Sequence, residues 1–378
     1  PQRRRRNRGR RMSRLDELIA ELCPDGVEYV SIGSIVNYEQ PSKYIVTSTN
    51  YNDDFSIPVL TAGQSFILGY TNETENLYKA SKQNPVIIFD DFTGAFKWVD
   101  FPFKVKSSAM KMLTADTEKT TLRFIFHMMG NIGFTSNEHK RLWISTYSTI
   151  SIPLPPLPVQ REIVRILDNF TELTAELTAE LTARKKQYEY YRDELLTFGD
   201  DVPRAKLGDV SDISRGVRVV KKQLIPDGTY PVYQNSLAPM GYYDKHNCYA
   251  NTTYVISAGA AGEIGFCDKD FWAADDCLVF SNLNGVIDKY IYYFLMTKQD
   301  FIRANVRTAS IPRLSRTVLE NLQIPLLSLE EQRRIVSILD RFDTLCNDIT
   351  KGLPAEITAR QKQYEYYRDK LLTFKELT

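Results

Sequence analysis

Residues 181–198 read LTARKKQYEYYRDELLTF, and residues 357–374 read ITARQKQYEYYRDKLLTF. The two stretches are identical at 15 of 18 positions, which identifies an internal repeat. A related pair of segments lies upstream of each copy, QREIVRILDNF at 160–170 and QRRIVSILDRF at 332–342. The order along the chain is therefore a globular segment, a repeat segment, a second globular segment and a second repeat segment.

Apolar residues in both copies recur at intervals of three and four, the spacing of a helix with one apolar face. Each copy predicts a helix of about 40 residues, or about 60 Å at 1.5 Å per residue. Such a face needs a partner, and the simplest arrangement pairs the two helices antiparallel with one globule at each end. Gly352 and Pro354 interrupt the second copy, where we expect a kink or a short break. We expect a shorter opening helix at 13–22 to meet the C-terminal turn.

The segments between the helices have the pattern of mixed α/β domains. Short apolar runs at 85–89, 254–257 and 277–280 indicate strands, and 121–129 and 289–296 indicate short helices. The expected fold class is therefore α+β: two mixed α/β domains separated by an antiparallel pair of long helices, with a pseudo-two-fold internal repeat. The predicted boundaries are 1–11 for a basic leader, 12–150 for the first domain with its opening helix, 151–201 for the first helix, 202–322 for the second domain and 323–378 for the second helix.

The composition and charge bound the class of protein. With 43% hydrophobic and 25% charged residues, the chain of 378 residues can bury real cores and is not disordered as a whole. Its net charge is +1, but residues 1–11 hold seven arginines, and the rest carries 41 basic against 47 acidic residues. We expect residues 1–11 to be a non-native or disordered leader, with a nucleic-acid-binding arm as the alternative. An interface for nucleic acid must then rest on local patches, because the global charge does not support one.

The sequence contains no apolar run near the ~18 residues that a membrane helix needs, and no apolar signal-peptide core near its start. Its five cysteines are odd in number and form no C-x-x-C pair. These features predict a protein of the reducing cytoplasm, with no membrane partner, no disulfide framework and no structural zinc.

Motifs for catalysis are weak. The sequence has no G-x-x-x-x-G-K-[ST] loop, and GAAGEIG at 259–265 lacks the spacing of a dinucleotide fingerprint, so we expect a tight turn there. No metal spacing relates His127, His139 and His246. The acidic pairs at 90–91 and 275–276 fit either a nuclease or metal site or, more simply, turns that follow strands. We therefore predict no catalytic residue, no metal site and no cofactor in this chain.

Each globule carries basic side chains mixed with amides and aromatics beside turns that contain glycine. Lysine and arginine contact phosphates, and Arg, Gln and Asn can form paired hydrogen bonds with base edges. Any one of these residues is more simply solvated surface, but their recurrence in both globules predicts binding to double-stranded DNA. The candidates in the first globule are Lys43, Tyr44, Gln64, Lys97, Lys104, Lys106, Lys140, Arg141 and Trp143. Those in the second are Arg215, Arg218, Lys221, Lys222, Gln234, Asn235, Arg303, Arg307, Arg313 and Arg316.

Several segments resemble the specificity subunit of type I restriction-modification systems. They are IPVLTAGQSFILGY (57–70), PVIIFDDFTGAFKWVDF (85–101), KSSAMKM (106–112) and the paired QRxIVxILDxF and QKQYEYYRD segments. The run TELTAELTAELTAR (171–184) is similar to the TAEL repeats of one subgroup. The likeness covers nearly all of residues 13–378, and the second globule matches only in general pattern.

The resemblance implies that each globule is a target recognition domain that reads half of an asymmetric, interrupted DNA site. It implies that the helices set the spacer and dock two modification subunits, which carry S-adenosylmethionine and methylate adenine. Restriction subunits, which use ATP and Mg²⁺, would join the complex to cleave DNA. The subunit itself would not be an enzyme.

Three tyrosines in four positions of each repeat cannot all face one partner helix. We therefore expect some of them to point outward and to bind the modification subunits, since tyrosine is enriched at interfaces. Packing against the globules or the opening helix explains them equally well. The candidates are Tyr188, Tyr190, Tyr191, Tyr364, Tyr366 and Tyr367.

Two other classes of function remain at this point. A self-sufficient DNA methyltransferase or nuclease would modify or cut DNA without added subunits. A purely structural coiled-coil spacer would show no salt-sensitive, sequence-selective binding to DNA.

Overall fold

The computed structural model describes residues 13–61, 66–134, 140–308, 310–348 and 350–377. The chain divides into two units, one that runs to Glu176 and resumes at Thr358, and one that spans Leu177–Ile357. Both boundaries fall inside the repeated helical segments. Each unit therefore combines one globular domain with helical residues from both copies of the repeat.

The first unit begins with helix α1 (Arg14–Leu22), which confirms the opening helix. Ser13 caps it: its hydroxyl accepts from Asp16 N–H, and the Asp16 carboxylate accepts from Ser13 N–H. Two further helices follow, α2 (Leu122–Ile132) and α3 (Leu157–Leu195), and α3 continues past Glu176 into the second unit. The strands are β1 (Glu28–Ser31), β2 (Val36–Glu39), β3 (Ile57–Leu60), β4 (Ile67–Thr71), β5 (Val86–Asp90), β6 (Phe96–Val99), β7 (Lys104–Val105), β8 (Met110–Ala115) and β9 (Ser151–Leu154).

A four-stranded antiparallel sheet with the order β2-β8-β5-β6 forms the centre of this unit. A smaller sheet, β4-β3-β7, pairs β3 with β7 in parallel, and β1 pairs with β9. Strand β5 is buried along its whole length because both of its faces are covered. Ile87 and Phe89 belong to the core around α2, whereas Ile88 belongs to a second core with Leu60 of β3.

The second unit repeats this plan with different residues. Its helices are α4 (Leu207–Val210), α5 (Asp288–Thr297), α6 (Gln299–Ala304), α7 (Arg316–Glu320), α8 (Leu329–Asn347) and the start of α9 (Leu353–Leu371). Its strands are β10 (Arg204–Lys206), β11 (Asp212–Arg215), β12 (Tyr230–Tyr233), β13 (Gly241–Tyr243), β14 (Thr252–Ile256), β15 (Ile264–Cys267), β16 (Trp272–Ala273), β17 (Cys277–Ser281) and β18 (Gln323–Pro325).

The sheets of the second unit match those of the first strand for strand. The four-stranded sheet has the order β11-β17-β14-β15, the smaller sheet is β13-β12-β16, and β10 pairs with β18. Strands β12 and β16 are parallel, as are β3 and β7. The mixed α/β domains and the strands and short helices expected in them are confirmed.

One buried glutamine in each unit ties the repeat helix to the globular domain. Gln160 accepts from Thr121 N–H, the N-cap of α2, and donates to the carbonyls of Lys119 and Pro155. Gln332 accepts from Ile287 N–H, the N-cap of α5, and donates to Gly285 and Leu327. Both glutamines are fully buried, so each must satisfy its amide within the protein.

The two repeat segments differ in continuity. The first forms one helix of 39 residues, α3. The second breaks between α8 and α9, where a Cβ on Gly352 would lie 2.3 Å from the carbonyl oxygen of Thr344. This confirms the interruption expected from Gly352 and Pro354. Residues 151–154 and 323–325 lie in the predicted helical segments but form strands β9 and β18, because each pairs with the first strand of its unit.

The start and end of the described chain meet within the first unit. Leu15 of α1 and Leu372 share one core. Val27 N–H donates to the carbonyl of Lys375 at 2.9 Å, and Leu377 N–H donates back to the carbonyl of Val27. The expected contact between the opening helix and the C-terminal turn is confirmed. Among the helical residues that the structure describes, no helix is long and apolar enough to cross a membrane.

Asp288 at the start of α5 makes the stability of the second unit depend on pH. Its carboxylate accepts hydrogen bonds from the N–H and hydroxyl of Thr253, but burial dominates and raises its pKa to about 6. An unfolded aspartate titrates near 3.9, so the folded state holds this proton more tightly. The free energy of unfolding therefore falls as pH rises from about 4 to about 6, because the buried carboxyl group loses its proton. Above that range the group is charged in both states, and the loss of stability is complete.

We predict that Asp288→Asn raises the free energy of unfolding by about 1–2 kcal/mol at pH 8 and changes it little at pH 4. Urea unfolding at both pH values measures this difference. Asp300→Asn, at an exposed position on α6, is the control. An equal effect of Asp288→Asn at both pH values would contradict the assignment.

Candidate DNA interface and helix surface

Loops of the first unit gather at the end of the four-stranded sheet where β5 ends and β8 begins; we call this the loop end. Asp91 N–H donates to the carbonyl of Ala109, and Leu142 N–H donates to the carbonyl of Asp91. The segments 91–95, 106–109 and 140–143 are thereby held side by side. The Asp90 carboxylate closes its own turn by accepting from Phe92 N–H at 2.9 Å.

A buried charge cluster lies directly beneath these loops. Asp91 and Lys111 are each 1% exposed, and Lys111 Nζ lies 3.0 Å from Asp91 Oδ2. Asp91 also accepts from Trp143 N–H at 2.9 Å, and Arg141 lies 3.5 Å from its carboxylate. Lys111 donates in addition to Gln40. The cluster connects β8 to the loop that carries Arg141, whose side chain is 52% exposed.

The second unit has a loop end in the same place, where β14 ends and β17 begins. Ser257 N–H donates to the carbonyl of Asp276, and Leu314 N–H donates to the carbonyl of Ser257. Ser257 therefore occupies the place that Asp91 has in the first unit, and Leu314 the place of Leu142. Arg307 and Arg313 face each other through two backbone hydrogen bonds of 2.9 and 3.1 Å. The turn at 259–262 closes next to Asn235 and leads into strand β15, as expected for a tight turn.

Most of the predicted DNA contacts are accessible, and many lie at the loop ends. Lys106 is partly exposed, while Lys43, Lys140, Arg141, Arg215, Arg218, Lys221, Lys222, Asn235, Arg307 and Arg313 are exposed. Lys97 is exposed on the edge strand β6, Arg303 and Arg316 are exposed on α6 and α7, and Gln234 is partly exposed after β12. Gln64, like His139, lies outside the described residues.

Three predicted contacts are buried instead: Tyr44, Lys104 and Trp143. Lys104 Nζ lies 3.0 Å from Glu73, whose pKa the backbone N–H groups of Ser48 and Thr47 lower to about 2. Trp143 packs against Phe89 with ring centroids 5.2 Å apart. These side chains support the domain from inside, so we leave them out of the interface proposed below.

Acidic neighbours offset the positive charge of three further exposed candidates, as Asp91 does for Arg141. Arg303 pairs with Glu263 at 2.8 Å, and Arg316 pairs with Glu320 at 2.9 Å. Lys43 pairs with Glu39 at 2.5 Å, and that carboxylate raises the pKa of the lysine. A DNA phosphate would have to compete with these carboxylates.

The repeated tyrosines divide into the same three environments in both units. Tyr191 stacks on Phe342 in the second unit at 5.6 Å and 26°, and Tyr367 stacks on Phe170 in the first at 5.3 Å and 18°. Tyr188 is buried beside Phe342, and burial raises its pKa. Its counterpart Tyr364 contacts His127 of α2 at 3.2 Å.

The third tyrosine of each repeat points outward. Tyr190 is 64% exposed and Tyr366 is 62% exposed. Each leans edge-on against the stacked tyrosine that follows it, with ring centroids 5.4 Å apart. An Arg-Asp ion pair follows in both copies, at 2.8 Å for Arg192 and 2.7 Å for Arg368. The repeat therefore presents two surfaces of the same chemistry; we call them the tyrosine patches.

Comparison with known proteins identifies the family. The family model of the type I restriction modification DNA specificity domain matches residues 24–184 and again residues 200–359. The chain belongs to the family of type I restriction enzyme specificity subunits. It is 43% identical to the specificity subunit of the EcoR124I/EcoR124II type I restriction enzyme of Escherichia coli, over 96% of this chain and 97% of that protein.

Solved structures show the same fold at low sequence identity. The type I restriction-modification S subunit from M. genitalium aligns with a TM-score of 0.68 and 15% identity, over 92% of this chain and 96% of that one. A chain from a structure of assembly and conformational transition in a type I R-M system aligns with a TM-score of 0.52 and 16% identity, over 93% and 98%. The α+β class with its internal repeat is therefore confirmed for this specificity subunit.

The buried pair of Asp91 and Lys111 was not among the predicted site residues of the specificity subunit. A lysine between Met110 and Met112 in an apolar strand was the available signal. Exposed apolar side chains in the loops were missed as well: Phe92, Ile144, Val217, Val220 and Ile311. Within the described part of the chain, no group of three or more His, Cys, Asp or Glu side chains is placed to hold a metal ion.

Proposed function

We propose that this chain is the DNA-reading subunit of a type I restriction-modification complex, with one half of a bipartite site read at the loop end of each unit. The observation that carries this proposal is the duplication. Two domains with the same sheets present arginines and lysines at the same end of the sheet, but the residues there differ. Equivalent frames with different loops suit two different half-sites read by one chain.

Reading needs both positioning and base contacts. The lysines at the loop ends are suited to phosphates, which give affinity and register without sequence information. Arg141 and Arg313 are suited to base edges, because a guanidinium can donate two parallel hydrogen bonds to guanine. The exposed apolar side chains of the loops can contact thymine methyl groups in the same groove.

The proposal leaves the chemistry to other subunits. Modification subunits would bring S-adenosylmethionine and methylate adenine, and restriction subunits would bring the ATP- and Mg²⁺-dependent cleavage. The chain itself would bind no cofactor and catalyse no step. Its place of action would be the cytoplasm, where the DNA is.

We expect the chain, assembled with its modification subunit, to methylate a gapped site whose two halves are read separately. Arg313→Ala should relax one position of one half-site and leave the other half unchanged. Methylome sequencing of cells that carry the wild-type or variant complex measures both. Methylation by the purified chain alone, with labelled S-adenosylmethionine and DNA, would instead indicate a self-sufficient methyltransferase. Cutting of DNA by the chain alone would indicate a nuclease.

Helix α3 connects the two units without a break, and its TAEL units set its length. One inserted unit of four residues adds about 6 Å of rise and one full turn plus about 40° of rotation. Since DNA rises about 3.4 Å per base pair, a TAEL insertion after Leu181 should lengthen the unread spacer by one or two base pairs. Methylome sequencing should show both half-sites unchanged. Thr178→Ala, which keeps the helix length, should keep the spacer; an altered half-site in the insertion variant would refute the idea.

The tyrosine patches are the proposed docking sites for the modification subunits. Tyrosine at the centre of an interface often contributes 2 kcal/mol or more. The double variant Tyr190→Ala/Tyr366→Ala should therefore weaken co-purification with the modification subunit by about tenfold or more. Each single variant should keep one patch and lose less. Tyr249→Ala, at a 75% exposed tyrosine outside the repeat, is the matched control. Unaffected assembly of the double variant would contradict this role.

A further inference from the structure

The two loop ends hold equivalent arginines by different means. Arg141 and Arg313 each precede a buried leucine, Leu142 or Leu314, whose N–H donates to the residue that follows the central strand. Arg313 is fixed through the backbone by its pairing with Arg307. Arg141 has instead a charged anchor below it, the Asp91 carboxylate at 3.5 Å.

That anchor is built from buried charges. The side chains of Asp91 and Lys111, which form an ion pair at 3.0 Å, are each 1% exposed. At the corresponding positions of the second unit stand Ser257 and Leu278, which follow from the matching strand registers. The second unit therefore folds the same sheet without this ion pair. Removing one member of a buried pair is costly, but replacing the whole pair by a well-packed alternative is often neutral. Folding alone thus gives no reason for the pair in the first unit.

The position of the buried pair beneath Arg141 does give a reason for its presence. The Asp91 carboxylate accepts from Trp143 N–H at 2.9 Å, and the Arg141 guanidinium lies 3.5 Å from it as an ion pair, so one carboxylate contacts the loop on both sides of Leu142. Lys111 fixes that carboxylate from the opposite direction at 3.0 Å and is itself held by Gln40. An arginine that only neutralises phosphate tolerates a loose side chain. Paired hydrogen bonds to a base edge require a fixed guanidinium.

We propose that Asp91 and Lys111 are positioning residues that orient Arg141 to read a base in the half-site of the first unit. This inference rests on the proposed function, which assigns Arg141 to a base edge, and adds the buried pair that orients it. Phe92, with the Arg141 guanidinium 6.0 Å from its ring, bounds the same surface. The Arg141 guanidinium suits a base edge with two hydrogen-bond acceptors, as guanine presents in the major groove.

The test uses the full chain assembled with its modification subunit and maps methylated sites. Arg141→Ala should relax one position of one half-site, raising methylation of sites with another base there by about 10-fold or more. The double variant Asp91→Ser/Lys111→Leu, which copies the second unit, should relax the same position and leave the other half-site intact. A folded domain that merely lost stability would lower methylation at all sites without changing their sequence.

The matched control removes another largely buried ion pair of the first unit. Glu73→Gln/Lys104→Met acts on a pair at 3.0 Å with Lys104 only 3% exposed, and it should leave the recognised sequence unchanged. Thermal unfolding confirms that each variant is folded. If the Ser/Leu variant does not fold, Asp91→Asn/Lys111→Met serves instead, because asparagine still accepts from Trp143 N–H.

A folded pair variant that reads the wild-type site would overturn the proposal. So would relaxation of both half-sites, or an Arg141→Ala variant with uniformly weaker binding and an unchanged sequence, which is the behaviour of a phosphate contact. Failure of the proposed function has a separate signature: the wild-type complex would then methylate no gapped site, and Arg313→Ala would change nothing.

Discussion

The structure depends on the requirement that an amphipathic helix bury its apolar face. Neither repeat segment can do so alone, so each packs against part of the other copy. Tyr191 of the first copy stacks on Phe342 of the second, and Tyr367 of the second copy stacks on Phe170 of the first. The same kind of contact therefore occurs in both units, and each unit requires residues from both repeat segments. The reciprocity explains why the two stretches are nearly identical while the globules diverge. A change in one copy must still fit the partner tract, whereas the loops have no such constraint.

The globular domains are coupled to these helices by polar contacts that recur in both halves. Gln160 and Gln332 each close the start of the short helix packed on the sheet, and Asp168 and Asp340 each bind two side chains from that helix. Although burial opposes it, hydrogen bonds from His127 and Arg123 lower the pKa of Asp168, so this aspartate stays charged where it docks α2. In both halves, polar contacts therefore fix the short helix of the globular domain against a repeat helix.

The loop ends show how one frame can carry two different sets of side chains. Hydrogen bonds between main-chain groups hold the loops in both units, so the frame does not depend on the exposed side chains of those loops. The anchoring of the arginine differs: a buried ion pair in the first unit and a backbone pairing in the second. Exposed side chains of these loops can change without disturbing the sheets, because the loop residues that belong to the cores are buried ones such as Leu142 and Leu314.

The sequence by itself determined the duplication, the helices and the family, because a 15-of-18 repeat and three-four spacing are properties of the chain alone. It also indicated the break near Gly352, since proline and glycine act locally. Only the tertiary structure decided which candidate cations are accessible. Lys104 and Lys106 are two residues apart, yet one is buried against Glu73 and the other is partly exposed, because burial depends on the strand of another segment that covers the site. For the same reason the sequence did not predict the ion pair of Asp91 and Lys111. These residues are 20 positions apart and meet only because their strands are neighbours in the sheet, so no local sequence pattern indicates the pair.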